Sequence, residues 1–327
     1  MLESDAQIEV VGTAANGKEG LEQIAKLQPD VVTLDIDMPV MDGITSIRHI
    51  MIKSPVPVVV LSSLFSDGAI TFDALRLGVV DFIPKPSGAV STDIDSSRQH
   101  LIDRIKLASE INLENVRRVR LPQWDSRDGL ERYGYRPLEY LLALGTTLSG
   151  PNTIIRLLAN LPPTLPAAVV VVVEMAPKIL SAFVERFNML VPWEICVVRD
   201  GMTLKQGVCY ISSCQRSVRV QKQSDGTISL QSVENSSEPL NQLFVSAADV
   251  FQQNAVGILL TGIGTDGAEG LARIQEMSGV TMAQDTQTCV YPNLTDNAIK
   301  QGAVNTILDE SELPQAIISI ISGKELR

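Results

Sequence analysis

Pro29-Asp-Val-Val-Thr-Leu-Asp-Ile-Asp-Met-Pro-Val-Met-Asp-Gly43 has the pattern of a buried parallel strand that delivers a carboxylate to its own carboxyl end. Val31 to Leu34 form the apolar, β-branched run. Asp35 closes it, the Met38-Pro39 step blocks any continuation, and Asp42-Gly43 opens a helix with a cap. In open α/β sheets chemistry collects in the crevice beyond the strand carboxyl ends, which is where Asp35 would sit. The plain alternative is an acidic turn after a strand.

Two further strands speak against that alternative. Val56-Pro-Val-Val-Val-Leu-Ser-Ser63 ends in hydroxyls, and Val79-Val-Asp-Phe-Ile-Pro-Lys-Pro-Ser87 ends in a lysine between prolines. A carboxylate, a hydroxyl and a lysine at three successive strand ends resemble the receiver domain of two-component response regulators, over residues 1 to about 87. The resemblance implies Asp35 as phosphoacceptor, Ser62 as the hydroxyl that senses the phosphoryl group, and Lys85 as its cationic partner through a bond before Pro86 that can be cis. It also implies Asp35 and the Asp37 backbone carbonyl as ligands of Mg²⁺.

The amino-terminal stretch departs from that pattern. Receivers begin with a central strand ending in two adjacent acidic residues, followed by a full helix. Here Met1 to Asp5 reads as the tail of that helix, and Gln7-Ile-Glu-Val-Val-Gly-Thr-Ala14 as already the second strand. In the order 2-1-3-4-5 the missing first strand lies between the second and third, so two strand edges are expected to stand unpaired in mid-sheet. Such a gap must close, fill from another chain, or leave the segment loose. Without the acidic pair, little remains to hold a divalent ion against phosphoryl charge, so Asp35 is expected to be phosphorylated poorly or not at all. A start codon assigned too far downstream would account for both departures.

The chain has 327 residues, with 38 acidic and 27 basic side chains for a formal charge of −11. That length suits two α/β domains, and no apolar run is long and uniform enough to span a bilayer. No secretory signal opens the chain, so a cytoplasmic protein is expected. The acidic balance argues against nucleic acid or anionic membrane as partner. Cys196, Cys209, Cys214 and Cys289 lack metal-ligand spacing and read as packed thiols. Ser87 to Thr92 is a small-residue loop, Ser96 to Val116 is helical, and Leu121 to Pro137 is a polar tether. The expected divisions are a receiver over residues 1–116, a linker over 117–138 and a second α/β domain over 139–327.

In that second domain Tyr140 to Ile155 reads as strand, small-residue turn and helix. Ile154 to Leu161 and Lys178 to Leu190 are helical, while Ala168 to Val173 and Ala255 to Gly262 are central strands. This alternation means a doubly wound, mainly parallel sheet. The glycines of Gly145-Thr-Thr-Leu-Ser-Gly150 make neither a P-loop nor a dinucleotide fingerprint.

Leu259-Leu-Thr-Gly-Ile-Gly-Thr-Asp-Gly-Ala-Glu-Gly-Leu271, Met282-Ala-Gln-Asp-Thr-Gln-Thr-Cys-Val290 and Phe183-Val-Glu-Arg-Phe-Asn188 resemble the catalytic domain of the CheB family, over about residues 139 to 322. That family consists of chemotaxis protein-glutamate methylesterases in which a receiver is joined to a serine hydrolase. The resemblance implies hydrolysis of glutamate methyl esters and deamidation of glutamines on chemoreceptors. It implies methyl-accepting chemoreceptors and a chemotaxis histidine kinase as partners, and no cofactor for the esterase.

The family's serine, histidine and aspartate map onto Thr147, Glu174 and Asp266, so only Asp266 is retained. A methionine whose backbone assists the oxyanion maps onto Ile263, and a Gly-Met-Pro segment onto Asn293-Leu-Thr295. Ser149 is the alternative hydroxyl if the register slips. The only histidines are His49 and His100, none in the second domain. Acyl transfer needs a base that titrates near neutrality, and none is supplied. Thr147 is internal and β-branched, Glu174 is a weak base unless shared with Asp266, and Cys209 or Cys214 lacks a histidine partner. Three expectations stay open: a catalytically degenerate family member that binds receptor or kinase, an active methylesterase or deamidase with a Thr147/Glu174/Asp266 centre, and a truncated product that barely folds.

Overall fold

The run Ala167–Val173, seven small or β-branched residues all fully buried, cannot face water on either side, so it must be an interior strand of a covered parallel sheet. A computed structural model describes residues 2–62, 68–85, 91–117, 119, 137–233 and 237–323, and divides the chain into two units, Met1–Val119 and Arg120–Arg327.

In the first unit, a 3₁₀ turn at Leu2–Ser4 precedes α1 (Gly17–Leu27), β1 (Val32–Asp35), α2 (Gly43–Lys53), β2 (Val58–Ser62), α3 (Gly68–Arg76), β3 (Asp81–Pro84) and α4 (Ser91–Ser109). The strands form a parallel sheet in the order β1-β2-β3. Asp42 caps α2 as expected, its Oδ1 accepting the Thr45 N–H at 2.7 Å. Asn16 caps α1, while Glu19 reaches back to the Ala15 N–H, so two orphan donors are satisfied at once. A nearly buried ion pair between Arg104 and Asp81 ties α4 to β3.

The expected strand Gln7–Ala14 is not formed. These residues run without ladder bonds, Val10 and Val11 are 38% and 48% exposed, and the edge of β1 that faces them carries no partner strand among the described residues. The reason is pairing: strand propensity is realised only against a neighbouring ladder, and among the described residues this run is part of none. The helix expected over Ser96–Val116 starts and stops earlier, as α4, and a separate 3₁₀ turn follows at Leu113–Asn115, where Asn112 accepts the Glu114 N–H. The Ser87–Val90 part of the small-residue loop, the Lys85–Pro86 bond and nearly all of the tether fall outside the described residues.

The second unit runs β4 (Tyr140–Thr146), α5 (Gly150–Ala159), β5 (Ala167–Val173), α6 (Pro177–Asn188), β6 (Glu194–Val197), β7 (Val208–Ser213), β8 (Ser217–Lys222), β9 (Ile228–Val233), α7 (Pro239–Phe251), β10 (Ala255–Leu259), α8 (Ala268–Glu276), β11 (Val280–Gln284), α9 (Asn293–Lys300), β12 (Thr306–Leu308) and α10 (Leu313–Ile321). Seven strands make one parallel sheet in the order β12-β11-β10-β4-β5-β7-β6, and β8 with β9 forms an antiparallel hairpin. The chain leaves β4 in one direction through β5 and returns on its other side at β10. The crevice between the carboxyl ends of β4 and β10 is therefore the topological switch point.

Helices α7 and α8 are locked to each other by exchanged caps. Asp266, in the turn before α8, accepts the Leu240 and Asn241 N–H groups of α7 at 2.7 and 2.9 Å. Asn241, from α7, accepts the Gly267 and Gly270 N–H groups of α8 at 3.0 and 2.8 Å. Each helix thus satisfies orphan donors of the other, and the Asn241 amide is 8% exposed. Asn241→Ala leaves two amides of α8 unpaired, so a loss of roughly 1–3 kcal/mol in the stability of the second unit is expected. Denaturant unfolding followed through the buried Trp193 checks this, and a midpoint equal to that of the parent chain would contradict the clasp.

Candidate functional site

At the switch point, the turn after β4 meets the turn after β10. The register sets Gly145 opposite Leu259, so Thr147 and Gly262–Gly267 leave the sheet side by side. Gly262 is required there, because a Cβ on it would lie 2.4 Å from the Thr147 Oγ1 and 2.9 Å from the Thr147 N. Beneath them Thr146 donates to the Thr261 carbonyl at 2.6 Å, and Thr261 exchanges hydrogen bonds with Tyr291, which anchors the next loop.

Thr147 is half-buried, and its hydroxyl is committed on both sides to one residue. Oγ1 accepts the Ile263 N–H at 2.7 Å and donates to the Ile263 carbonyl at 3.0 Å. The β-branched side chain has restricted χ1 freedom, which favours one fixed direction for the hydroxyl. Ser149, the alternative hydroxyl, is 8% exposed and holds φ at +59° on entry to α5. A non-glycine residue in the left-handed region is uncommon, and burial withdraws this serine from the crevice.

Asp266 is placed by the α7 clasp. Burial raises its carboxyl above the ordinary aspartate range, outweighing the Leu240 and Asn241 amides, and the nearby charge of Glu238 adds to the rise. Glu174 follows β5 and is half-buried. Cys214, just beyond β7, lies close enough to feel both Glu174 and Asp266. Burial first, then these carboxylates, push its thiol up to about 12, so it stays protonated near neutrality. Cys209 is fully buried with its thiol raised well above normal, and burial pushes Cys289 up to about 12. All four cysteines are free, as packed thiols should be.

The sequence singled out Asn293-Leu-Thr295 but not the contacts that segment makes. Asn293 accepts the Gly264 N–H at 2.7 Å through its Oδ1, and the Leu294 N–H donates to the Gly262 carbonyl at 2.9 Å, so the segment corresponding to Gly-Met-Pro braces the glycine turn. Asn241, Leu240 and Glu238 reach the site from α7. No local pattern marks them, because only the packing of α7 on α8 brings them to Asp266.

In the first unit, Asp35 stands at the end of β1 and is ion-paired with Lys85, which follows β3. Asp37 is exposed, and its N–H donates to Asp35 Oδ1 at 3.3 Å. Ser62 ends β2; its side chain is outside the described residues. Both oxygens of Asp35 are thus already engaged, and among the described residues no group of three His, Cys, Asp or Glu is placed to hold a metal ion. Mg²⁺ usually binds through one or two carboxylates with waters completing its octahedron, and Asp35 and Asp37 are the described carboxylates at this strand end.

Two family descriptions match: CheB methylesterase over residues 142–317 and response regulator receiver domain over residues 1–92. A protein-glutamate methylesterase/protein-glutamine glutaminase 1 of Oleidesulfovibrio alaskensis is 33% identical, the match covering 98% of this chain and 94% of that protein. A protein-glutamate methylesterase/protein-glutamine glutaminase of Archaeoglobus fulgidus is 34% identical over 98% of this chain and 93% of its own length. Among solved structures, the Thermotoga maritima CheB methylesterase catalytic domain superposes with a TM-score of 0.52 at 23% identity, covering 56% of this chain and 97% of that one, and speaks for the fold. A receiver followed by this switch-point esterase fold, matched over nearly its whole length, places the chain in the CheB methylesterase family of chemotaxis response regulators.

Proposed function

We propose that this chain is a CheB-type response regulator whose esterase unit is catalytically degenerate and acts by binding a chemoreceptor or a chemotaxis histidine kinase in the cytoplasm. The observation that carries this reading is the Thr147 hydroxyl, held by the Ile263 N–H and C=O. The atom that would attack an ester already spends its proton and a lone pair on the backbone. The amide that would steady an oxyanion is spent on the same hydroxyl. With no histidine in the second unit, no imidazole there takes up the nucleophile's proton at neutral pH or returns it to the leaving group. Asp266 without a histidine serves the α7 helix end, which gives it a structural reason to be an aspartate.

The second reading, an active methylesterase or glutamine deamidase with a Thr147/Glu174/Asp266 centre, draws on two observations. Long-range relatives carry those activities in their names. The raised Asp266 carboxyl is also the kind of shift found at working acids and bases. Methanol release from methylated receptor peptides separates the two readings. No turnover above the receptor's own hydrolysis is expected, and turnover abolished by Thr147→Ala would sink the degenerate reading.

Restoring the missing groups is the converse test. Thr147→Ser together with Glu174→His frees the hydroxyl from its β-branch and adds an imidazole. Methanol release is expected to rise by at least roughly 100-fold, the lower range of what a positioned general base contributes. No gain in a double variant that folds normally would show that the defect lies elsewhere in the crevice.

Asp35 is proposed as the phosphoacceptor position, with Ser62 and Lys85 as its phosphoryl-sensing partners, and as a slow acceptor. Its carboxylate is paired with Lys85, and Asp37 is the other described carboxylate at this strand end to help hold a divalent ion against phosphoryl charge during transfer. Acid-labile phosphate incorporated from acetyl phosphate and Mg²⁺ is expected to stay far below one per chain. Stoichiometric labelling lost in Asp35→Asn would overturn this.

A further inference from the structure

We infer that Asn293 is a positioning residue, one that fixes the Ile263–Gly264 peptide in the orientation that keeps the Thr147 hydroxyl engaged. The inference rests on the reading that this hydroxyl is held by the Ile263 backbone, and it names what holds that backbone in turn. A trans peptide points its C=O and its N–H in opposite directions, so a peptide plane lying between two walls can be tied to both. Three successive planes of the glycine turn are tied in this way. The Thr261 carbonyl accepts the Thr146 hydroxyl at 2.6 Å, and the Gly262 N–H donates to the Tyr291 carbonyl at 2.8 Å. In the next plane the Ile263 N–H donates to Thr147 Oγ1 at 2.7 Å, and the Gly262 carbonyl accepts the Leu294 N–H at 2.9 Å. In the third, the Ile263 carbonyl accepts the Thr147 hydroxyl at 3.0 Å, and the Gly264 N–H donates to Asn293 Oδ1 at 2.7 Å.

On the 291–294 side the first two planes are held by backbone and the third by a side chain. Asn293 is exposed, so its bond competes with water and the third plane is the least securely tied. The same plane carries a hinge. Gly264 is exposed and holds φ at +113°, and a Cβ on it would meet nothing within 4 Å. Turning the plane over brings φ of Gly264 to a negative value, and glycine populates both signs about equally. Beyond the hinge the Asn297 amide donates to the Thr265 carbonyl at 3.1 Å, so the turn is anchored on both sides of Gly264. With the plane over, the Ile263 carbonyl leaves the Thr147 hydroxyl and the Gly264 N–H comes to lie beside the Ile263 N–H. Two adjacent N–H groups facing the crevice suit a carbonyl or carboxylate oxygen. Asn293 therefore decides whether this peptide shows the crevice an acceptor or a donor.

The test is NMR on the full chain. Ile263–Gly264 is the one Ile-Gly pair in the sequence, so ¹³C on isoleucine carbonyls and ¹⁵N on glycine amides give a single correlated peak for this peptide. In Asn293→Ala the Ile263 carbonyl shift is expected to move, and the nuclear Overhauser contact from the Gly264 N–H to the Thr147 methyl to grow about 5-fold, the usual net worth of one hydrogen bond. Asn293→Asp keeps an acceptor oxygen and is expected to return both to the parent values. Thr147→Val unties the other side of the same plane and is expected to quicken hydrogen exchange at Gly264 about 5-fold with little change at Gly262, although Gly264 bonds to Asn293 and not to Thr147. An unchanged Overhauser contact in Asn293→Ala, no rescue by aspartate, or unaltered Gly264 exchange in Thr147→Val would each overturn the proposal. Turnover of methyl ester by the parent chain would bear on the degenerate reading alone, because the peak reports the peptide whether or not an ester is cleaved.

Discussion

Parallel pairing of β4 with β10 governs the second unit, because it sets the Thr147 turn beside the Gly262–Gly267 turn at the one place where the sheet reverses direction. Two chain segments more than a hundred residues apart come so close that only glycine fits at 262. At that separation the threonine hydroxyl and the Ile263 peptide group satisfy each other. A buried polar group is expensive when unpaired, so this mutual pairing is a stable resting arrangement. The same contact that finishes the fold engages the Thr147 hydroxyl on both sides.

Asp266 has a structural role of its own. Its carboxylate oxygens close the amino end of α7, and Asn241 returns the favour to α8. The helix pair packs on the face of the sheet that holds Leu240, Leu243, Phe244 and Leu271, all at most 1% exposed. Removing the aspartate would disturb that packing whether or not any hydrolysis takes place.

The first unit poses the opposite problem. Its strands β1, β2 and β3 and their helices are sound, yet the edge of β1 opens onto a cavity where hydrogen-bonding groups stand without a ladder. Lys85 reaches across to Asp35 there, so the ion pair caps one end of the opening. Both units thus bring polar groups together at strand carboxyl ends, one pairing a hydroxyl with backbone and the other a carboxylate with a lysine.

Much of this was written in local sequence. The runs Val58–Val60, Ala167–Val173 and Ala255–Leu259 are buried on both faces and could be nothing but interior strands, and Asp42 before Gly43 announced a helix start. The absence of histidine from the second unit is a fact of composition that no folding can alter. Gln7–Ala14 misled because its residues favour a strand while a strand exists only with a partner to bond, and that partner is a property of the whole sheet. Whether the Thr147 hydroxyl faces a carboxylate or the Ile263 backbone, and which helix end claims Asp266, was decided by tertiary packing. Both depend on distances of a few ångströms between residues far apart in the chain, and no local pattern records those.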